Sequence, residues 1–487
     1  MKVFIHLIYA PCPIFEIELE LIKKHRDAGD QADIVRCTGE LETCFWNPEH
    51  KRTICGLCRS KGQRGIDVLG IPSTEVDRFA EYDDPNSDLP DVFADIEELK
   101  AFTLEDGAKL GLCVASSIIS KYARDHRLDT HRYRREIHRE LRTAHRIYKT
   151  TERRFASDRP DRAYLFNGRI SSHAPILFLC EKLGIPYFTY EVAGLQNRYL
   201  LRKNATPHSI DAFKEEMATL WDQATDDKAA LARQWFEAQR NGVDMGIPSY
   251  TKKQKRGLLP DGFDRSLKNI AIYNSTIEEY AAVEKWKGEI YSPDETEGVR
   301  QILRSFKDDK SCMFYLRVHP HMKGADPKKN TQIREIHEIQ KQYDNVRVIF
   351  PEEKTDTYSL MDACDIVLTF GSTIGIEACF WNKPSILAGR AVYEHLACVY
   401  KPTSHDEVVS LIQSDLRPLD SQDALHFAYR EVSYGVPFRS FRQTGVRSGF
   451  FSGKKIEPSG FRRLVFLISD LPRKGKRLVE EVVKKIT

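Results

Sequence analysis

Residues 364–387 read CDIVLTFGSTIGIEACFWNKPSIL. From Ile366 to Phe370 the run is apolar apart from Thr369. That is the pattern of a strand covered on both faces of a parallel sheet. Gly371 ends the run, and Ser372 and Thr373 open a helix. A glycine lets a ligand approach the backbone, and the free N–H groups of a helix start attract anions. Two hydroxyls add donors. The stretch therefore predicts a phosphate-binding turn made of Gly371, Ser372 and Thr373, with Ser372 capping the helix as well. Glu377 follows Thr373 by one helical turn and shares its face, within reach of a ribose hydroxyl.

Working outward, the same unit recurs. Apolar runs at 2–9, 32–37, 65–71, 162–167, 186–192, 269–275, 312–318, 345–350, 364–370 and 384–388 read as strands, with helical stretches between many of them. Such alternation predicts an α/β protein. Ligands of open α/β sheets bind beyond the carboxyl ends of the strands. Those ends carry polar groups: Asn167-Gly168-Arg169, Glu191, Asn274-Ser275-Thr276 with Glu278, His319-Pro320, and Gly371-Ser372-Thr373. His319 can donate to a phosphate oxygen and add charge if protonated. Arg317 lies two residues earlier, on the same strand face. Tyr358, after the loop 351–357, is placed to stack on a base.

The chain of 487 residues is too long for one core and predicts two domains. Lys plus Arg is 74 and Asp plus Glu is 71, so a global basic field for nucleic acid is excluded. No apolar run is long enough to span a bilayer, and the start reads as a strand rather than a secretory signal. A cytoplasmic protein is expected, with peripheral attachment to the inner membrane face as the variant the basic helices would permit. The Gly-, Pro- and Lys-rich stretch 245–265 reads as a linker. It predicts a first domain over 1–255 and a second over 265–462. A helical insertion is expected at about 97–156. It is rich in arginine (Arg124, Arg127, Arg132, Arg134, Arg135, Arg139, Arg142, Arg146 and Arg153), with acidic residues interspersed. It reads as a solvated face with internal ion pairs, as a dock for an anionic surface, or as a nucleic-acid contact, the last without supporting aromatic–basic interleaving. The final stretch, 465–487, includes a basic amphipathic helix whose stripe is Leu478, Val479, Val482, Val483 and Ile486, and it is expected to pack back on the first domain.

Eleven cysteines without a signal peptide fit a reducing compartment. Four of them cluster, at Cys37, Cys44, Cys55 and Cys58. The Cys55-Gly-Leu-Cys58 pair has the spacing of a zinc knuckle. A structural zinc site, buried free thiols or a disulfide, and an iron–sulfur cluster are the three readings.

The motifs at 274–276 with Glu278, 317–321 (RVHPH), 358–387 and Tyr393 resemble the nucleotide-sugar-binding domain of two-domain GT-B glycosyltransferases. The similarity is greatest to those of bacterial capsular and surface polysaccharide biosynthesis. It extends over about 269–402 and more weakly over 160–200. The resemblance implies two Rossmann-like domains facing a central cleft. It implies donor binding by Asn274, Ser275, Thr276, Arg317, His319, Tyr358, Gly371, Ser372, Thr373 and Glu377, with His319 and the Ser–Thr pair on the donor phosphate. Many retaining relatives have a Glu eight positions before the helix Glu, and here that position is Thr369. An inverting transfer without a required metal is therefore expected. It needs a base, for which Glu191 is the leading candidate and Glu16 a lesser one. Asn167 and Arg169 would position the acceptor, a glycan or lipid-linked glycan. A nucleotide-sugar epimerase on the same scaffold and a non-catalytic glycan- or membrane-binding protein are the alternatives.

Overall fold

The computed structural model describes residues 1–7, 11–79, 89–123, 125–245, 249–286, 288 and 290–458. The expected C-terminal helix, the end of the first strand and the close of the second domain lie outside the described residues. The chain divides into two compact units. The first comprises Met1–Tyr122, Asp129–Pro207 and the chain from Gly435; the second comprises Ala123–Leu128 and His208–Tyr434.

In chain order the first unit contains β1 (Lys2–Leu7), α1 (Ile14–Asp27), β2 (Gln31–Arg36), α2 (Arg52–Val68) and β3 (Val76–Arg78). Then come α3 (Ile96–Ala101), α4 (Leu110–Ile118), a π-helical turn (Ile119–Ala123) and α5 (Arg134–Ser157). It continues with β4 (Arg162–Phe166), α6 (Ala174–Leu183), β5 (Tyr187–Val192) and β6 (Arg198–Lys203). The strands lie in the order β6-β5-β4-β1-β2-β3, all parallel but for the antiparallel β5–β6 pair. Strands β1 and β4 are buried almost throughout, as their apolar runs predict.

The second unit contains α7 (Ile210–Gln223), α8 (Lys228–Arg240), β7 (Lys268–Tyr273), α9 (Glu295–Ser305), β8 (Cys312–Arg317) and α10 (Thr331–Gln342). These are followed by β9 (Val346–Ile349), α11 (Thr357–Ala363), β10 (Ile366–Thr369), α12 (Ile374–Phe380), β11 (Ser385–Leu387), α13 (His405–Gln413) and α14 (Gln422–Ser433). Its sheet is parallel throughout, in the order β11-β10-β7-β8-β9. Side chains alternate between the two faces. Phe314, Leu316 and Val318 enter one apolar cluster, and Tyr315 enters the other with Tyr273, Ile349 and Tyr358. The chain then returns to the first unit, where β12 (Val436–Pro437) pairs with β6 and β13 (Phe441–Gly445) pairs with β14 (Ser448–Phe451).

Both α/β units expected from the sequence are present, and three details differ from expectation. The units divide at Pro207/His208, not within 245–265. Helices α7 and α8 bury Met217, Trp235 and Phe236 against Ile376, Cys379 and Phe427, with Phe236 stacked on Phe380 at 4.0 Å. Their amphipathic pattern announces burial but not the partner. The run 65–71 is the end of α2 and the turn after it, not a strand. Gly65 lies where a Cβ would stand 2.6 Å from the Phe15 ring and 2.8 Å from Leu19 of α1, so the absent side chain admits a close helix–helix approach. Strand β6 was not foreseen; Arg198 and Arg202 interrupt its apolar pattern. Finally, α5 is packed on one face through Ile137, Leu141, Ala144, Ile147, Tyr148 and Phe155. Several of its arginines are engaged: Arg142 with Glu42, Arg146 with the Glu40 carbonyl and Arg154 with Asp33 and Asp77. No described helix is long and apolar enough to cross a membrane.

Candidate functional site

In each sheet the strand order reverses direction at one place, between β1 and β4 and between β7 and β10. Such switch points open a crevice at the carboxyl ends of the strands. In the second unit the loops there are Asn274-Ser275-Thr276 after β7 and Gly371-Ser372-Thr373 after β10, with His319 following β8. The two loops nearly touch. A Cβ on Gly371 would stand 2.8 Å from the Arg390 carbonyl oxygen and 3.1 Å from Ser275 Oγ, so only glycine fits without displacing one of them. Tyr393, fully buried, donates its hydroxyl to the Ser372 carbonyl at 2.5 Å and fixes the turn. Ser372 Oγ lies 3.4 Å from the Ile374 amide, a long cap, and Thr373 is exposed.

His319 is held on three sides. Its amide donates to Asn274 Oδ1 at 2.9 Å, and Asn274 Nδ2 donates to the Ser275 carbonyl at 2.9 Å. Its Nδ1 accepts the His321 amide at 3.2 Å and lies 2.9 Å from Thr276 Oγ1. A backbone amide can only donate, so Nδ1 is the bare nitrogen and the proton sits on Nε2. Burial lowers the pKa of His319, partly offset by Glu279. At neutral pH His319 is thus a neutral N–H donor, and the charge expected of it is absent. Tyr250 packs edge-on against the His319 ring at 5.8 Å and is 55% exposed. It was missed because its surroundings read as linker.

Three donor-site expectations are corrected. Tyr358 is 5% exposed and lies in the core, so it offers no face to a base. Its hydroxyl donates to Glu377. Glu377 is likewise 5% exposed and takes hydrogen bonds from Tyr358 and Thr373 rather than presenting itself to a ribose. Burial pushes its pKa up to about 7. Arg317 is 3% exposed, bonded to the Phe350 carbonyl at 3.0 Å, with its Nε unpaired. It shares its strand face with Tyr315 and with its cross-strand partner Tyr273, and β8 ends at Arg317, so the alternation does not extend to His319.

Behind the loop after β7 stand two residues the sequence reading missed. Glu295, the first residue of α9, accepts the Ser275 amide at 2.8 Å and Gln332 Nε2 at 3.0 Å. Gln332 of α10 also donates to the Ser275 carbonyl at 3.0 Å and accepts the Ile277 amide at 3.3 Å. Burial pushes Glu295 up to about 7 against these hydrogen bonds. A Glu in a first helical turn is common, so only contact with the loop distinguishes it.

At the strand ends of the first unit, Asn167 and Gly168 take left-handed backbone angles (φ 58° and 83°) and turn the chain after β4. Asn167 Nδ2 donates to Glu191 Oε2 at 2.8 Å, and the Val192 amide bonds Glu191 Oε1 at 3.0 Å. Burial raises the Glu191 pKa despite these bonds and the nearby Arg169. Arg169 reaches Ser116 Oγ at 2.9 Å and Ser120 Oγ at 3.4 Å on α4 and the π-helical turn. Glu16 is turned elsewhere: it is buried, with Oε1 ion-paired to Lys61 at 2.8 Å, and Lys61 also pairs with Glu457 at 2.6 Å.

Cys37, Cys44, Cys55 and Cys58 are free thiols. Among the described residues no group of three or more His, Cys, Asp or Glu side chains is arranged to hold a metal ion. Burial pushes Cys37 to about 11 and Cys58 to about 12, and Cys44 also goes up.

Solved structures of similar fold include a Thermosulfurimonas dismutans KpsC, beta Kdo 2,4 transferase, at 13% identity and TM-score 0.36, over 56% of this chain and 79% of that one. A UDP-GlcNAc 2-epimerase from Neisseria meningitidis bound to UDP-GlcNAc matches at 12% identity and TM-score 0.32, over 89% and 98%. At this level the likenesses identify neither reaction nor substrate. No curated protein matches the chain. Residues 288–406, which contain both His319 and the Gly371-Ser372-Thr373 turn, match the model of a family described as "Capsule polysaccharide biosynthesis protein".

Proposed function

We propose that the protein is a glycosyltransferase of the GT-B type that moves a sugar from a nucleotide-sugar donor to a surface polysaccharide or related glycan. One observation carries the reading: neutral hydrogen-bond donors converge at the switch point of the second sheet. They are the His319 Nε2–H and the Ser372 hydroxyl, on loops held by Asn274, Thr276 and Tyr393, while the Thr373 hydroxyl beside them is bonded to Glu377. Such donors suit the oxygens of a phosphate, and they strengthen as charge develops on a departing nucleotide. Helix α12 has seven residues, so the fixed donors rather than a helix dipole support the assignment. The match over 288–406 supports the capsular or surface glycan class.

The first unit supplies Glu191 as the group that takes the acceptor proton, on this reading. Desolvation brings a carboxyl toward the working range of a general base. Asn167 holds one carboxylate oxygen. Arg169 positions the acceptor. No carboxylate stands at Thr369, which is buried against Tyr393, and an inverting displacement is therefore the reading we favour. We also propose that turnover proceeds without added metal, because protein donors address the leaving phosphate; unchanged turnover in excess chelator is the expected result.

The test is incubation of the purified chain with UDP-, GDP-, CMP- and CDP-sugars, with and without glycan acceptors. Acceptor-dependent release of nucleotide from at least one donor is expected. An epimerised nucleotide sugar without release would replace the transferase reading by the isomerase one. Inertness toward all donors, with no thermal shift by any nucleotide, would remove both.

A further inference from the structure

The second unit includes a short piece, Ala123–Leu128, drawn from the middle of the first unit's stretch of chain. Within that piece Asp125, His126 and Arg127 bond the starts of two helices. Asp125 Oδ2 accepts the Thr331 amide at 2.9 Å and its hydroxyl at 2.7 Å, at the first residue of α10. His126 Nε2 lies 2.9 Å from Asp294 Oδ2, and Arg127 donates to the same oxygen at 2.7 Å. Arg127 also donates to Glu335 of α10 at 2.7 Å. Asp294 caps α9, its other oxygen accepting the Thr296 amide at 2.9 Å.

The residues next in sequence to these two anchors hold the loop after β7. Asp294 precedes Glu295, and Thr331 precedes Gln332. Glu295 and Gln332 together satisfy the Ser275 amide, the Ser275 carbonyl and the Ile277 amide. That leaves Thr276 between them with its hydroxyl on His319. Two separate arms thus run from one three-residue piece to one loop, and each arm is a single peptide step at a capped helix start. A helix start is stiff because its first turn is hydrogen-bonded both ways, so a displacement of the cap is passed to the next residue rather than absorbed. Asp294 is only 9% exposed, and its hydrogen bonds to His126 and Arg127 hold its carboxyl well below the usual range. Removing one leaves a buried charge short of a partner.

We propose that Asp125, His126 and Arg127 are positioning residues for nucleotide binding, acting through the helix starts at Asp294–Glu295 and Thr331–Gln332 on Ser275, Thr276 and His319. The proposal rests on the reading that this loop contacts the donor phosphate.

The test compares the full chain with its Arg127→Ala and Asp125→Asn variants, using Arg127→Lys as the conservative form and Arg135→Ala, at an exposed arginine outside this network, as the control. Nucleotide affinity is read by calorimetry with the nucleotide that binds the wild type. Amide hydrogen exchange of the peptide covering 274–277 is read without ligand. Arg127→Ala and Asp125→Asn are expected to weaken affinity roughly 3- to 30-fold and to speed exchange at Ser275 and Ile277. Arg127→Lys is expected to recover part of both, and the control to change neither. Wild-type affinity together with wild-type exchange in both variants overturns the proposal, as does equal loosening by the control. If Arg127→Ala does not fold, the milder Asp125→Asn decides. If the wild type binds no nucleotide, the transferase reading fails. Exchange at 274–277 still decides whether the piece positions the loop.

Discussion

The two sheets share one strand order, β3-β2-β1-β4-β5 in the first unit and β9-β8-β7-β10-β11 in the second. Their strand ends carry opposite chemistry. In the second unit the groups at the switch point are neutral donors, and the nearby carboxyls, half-buried Glu295 and buried Glu377, have pKa values pushed up to about 7. In the first unit the turn after β4 presents Asn167 to a desolvated carboxyl, Glu191. On the proposed reading, one end accepts negative charge and the other takes a proton. Topology provides a crevice in each unit, and the side chains decide what it does.

The largest expected effect breaks the proton-taking end. Glu191→Gln keeps the shape and the Asn167 contact but cannot ionise. Turnover should fall roughly 10²–10⁴-fold with the fold intact. The raised pKa sets the sign of the pH response: wild-type turnover climbs with pH as Glu191 loses its proton, and the acid limb should vanish from the residual activity of the variant. Turnover within threefold of wild type would remove Glu191 from the mechanism. At the anion-accepting end, His319→Ala deletes the Nε2–H donor and leaves Thr276 without its partner. A loss of roughly 10²–10³-fold in kcat/KM is expected. His319 is already neutral near pH 7, so wild-type nucleotide affinity should not weaken as pH is raised from 7 to 8.5 through any loss of charge on it.

A smaller effect tests how closely the two loops meet. In Gly371→Ala the new methyl would press on the Arg390 carbonyl at 2.8 Å and on Ser275 Oγ at 3.1 Å. The carbonyl belongs to the backbone and has little room to yield. A stability loss of about 1–3 kcal/mol by denaturant titration is expected. Nucleotide affinity should fall along with it, because the turn and the loop after β7 move apart. Full affinity in the variant would mean that the two loops do not act as one site.

Much of this was legible in the sequence. Near-continuous Val, Ile, Leu and Phe runs marked β4, β7, β8 and β10 as strands of parallel sheets, and turn residues behind them marked the loops. Gly371, Ser372, Thr373, Thr276 and His319 were found because strand, loop and helix start are local signals. What was hidden is long-range. The alternation that put Arg317 on one strand face did not say that the face is covered, or that Tyr358 and Glu377 would bond each other across 19 residues. The stripes of α7 and α8 showed amphipathic helices without naming the unit they cover. Glu295 and Gln332 look like ordinary residues of helix starts and Asp125 like an ordinary loop residue, and only their contacts single them out. The four cysteines have suggestive spacing, but spacing along the chain does not set the geometry a metal requires.

The smallest effect sharpens the claim that carboxyls behind the donor loops are uncharged when buried. Glu377 is bonded by hydroxyls of Tyr358 and Thr373, with Tyr393 nearby and Arg240 over the far side of the Tyr358 ring at 5.6 Å. No cation is bonded to its carboxyl among the described residues. In the unfolded chain a glutamate titrates near ~4.3, whereas here burial raises it to about 7. Between those values the unfolded chain gives up its proton first, so the contribution of this group to stability falls as pH rises through the window and is constant above it. Glu377→Gln cannot ionise in either state. Its melting temperature should therefore match the wild type near pH 4.5 and exceed it by a few degrees at pH 7.5, corresponding to about 4 kcal/mol at most. Because the comparison is a difference between two chains at each pH, the other titrating groups cancel. A difference that stays flat, or that favours the wild type at high pH, would mean that Glu377 is ionised in the folded protein. The contrast between the two sheets would then need a charge on both sides.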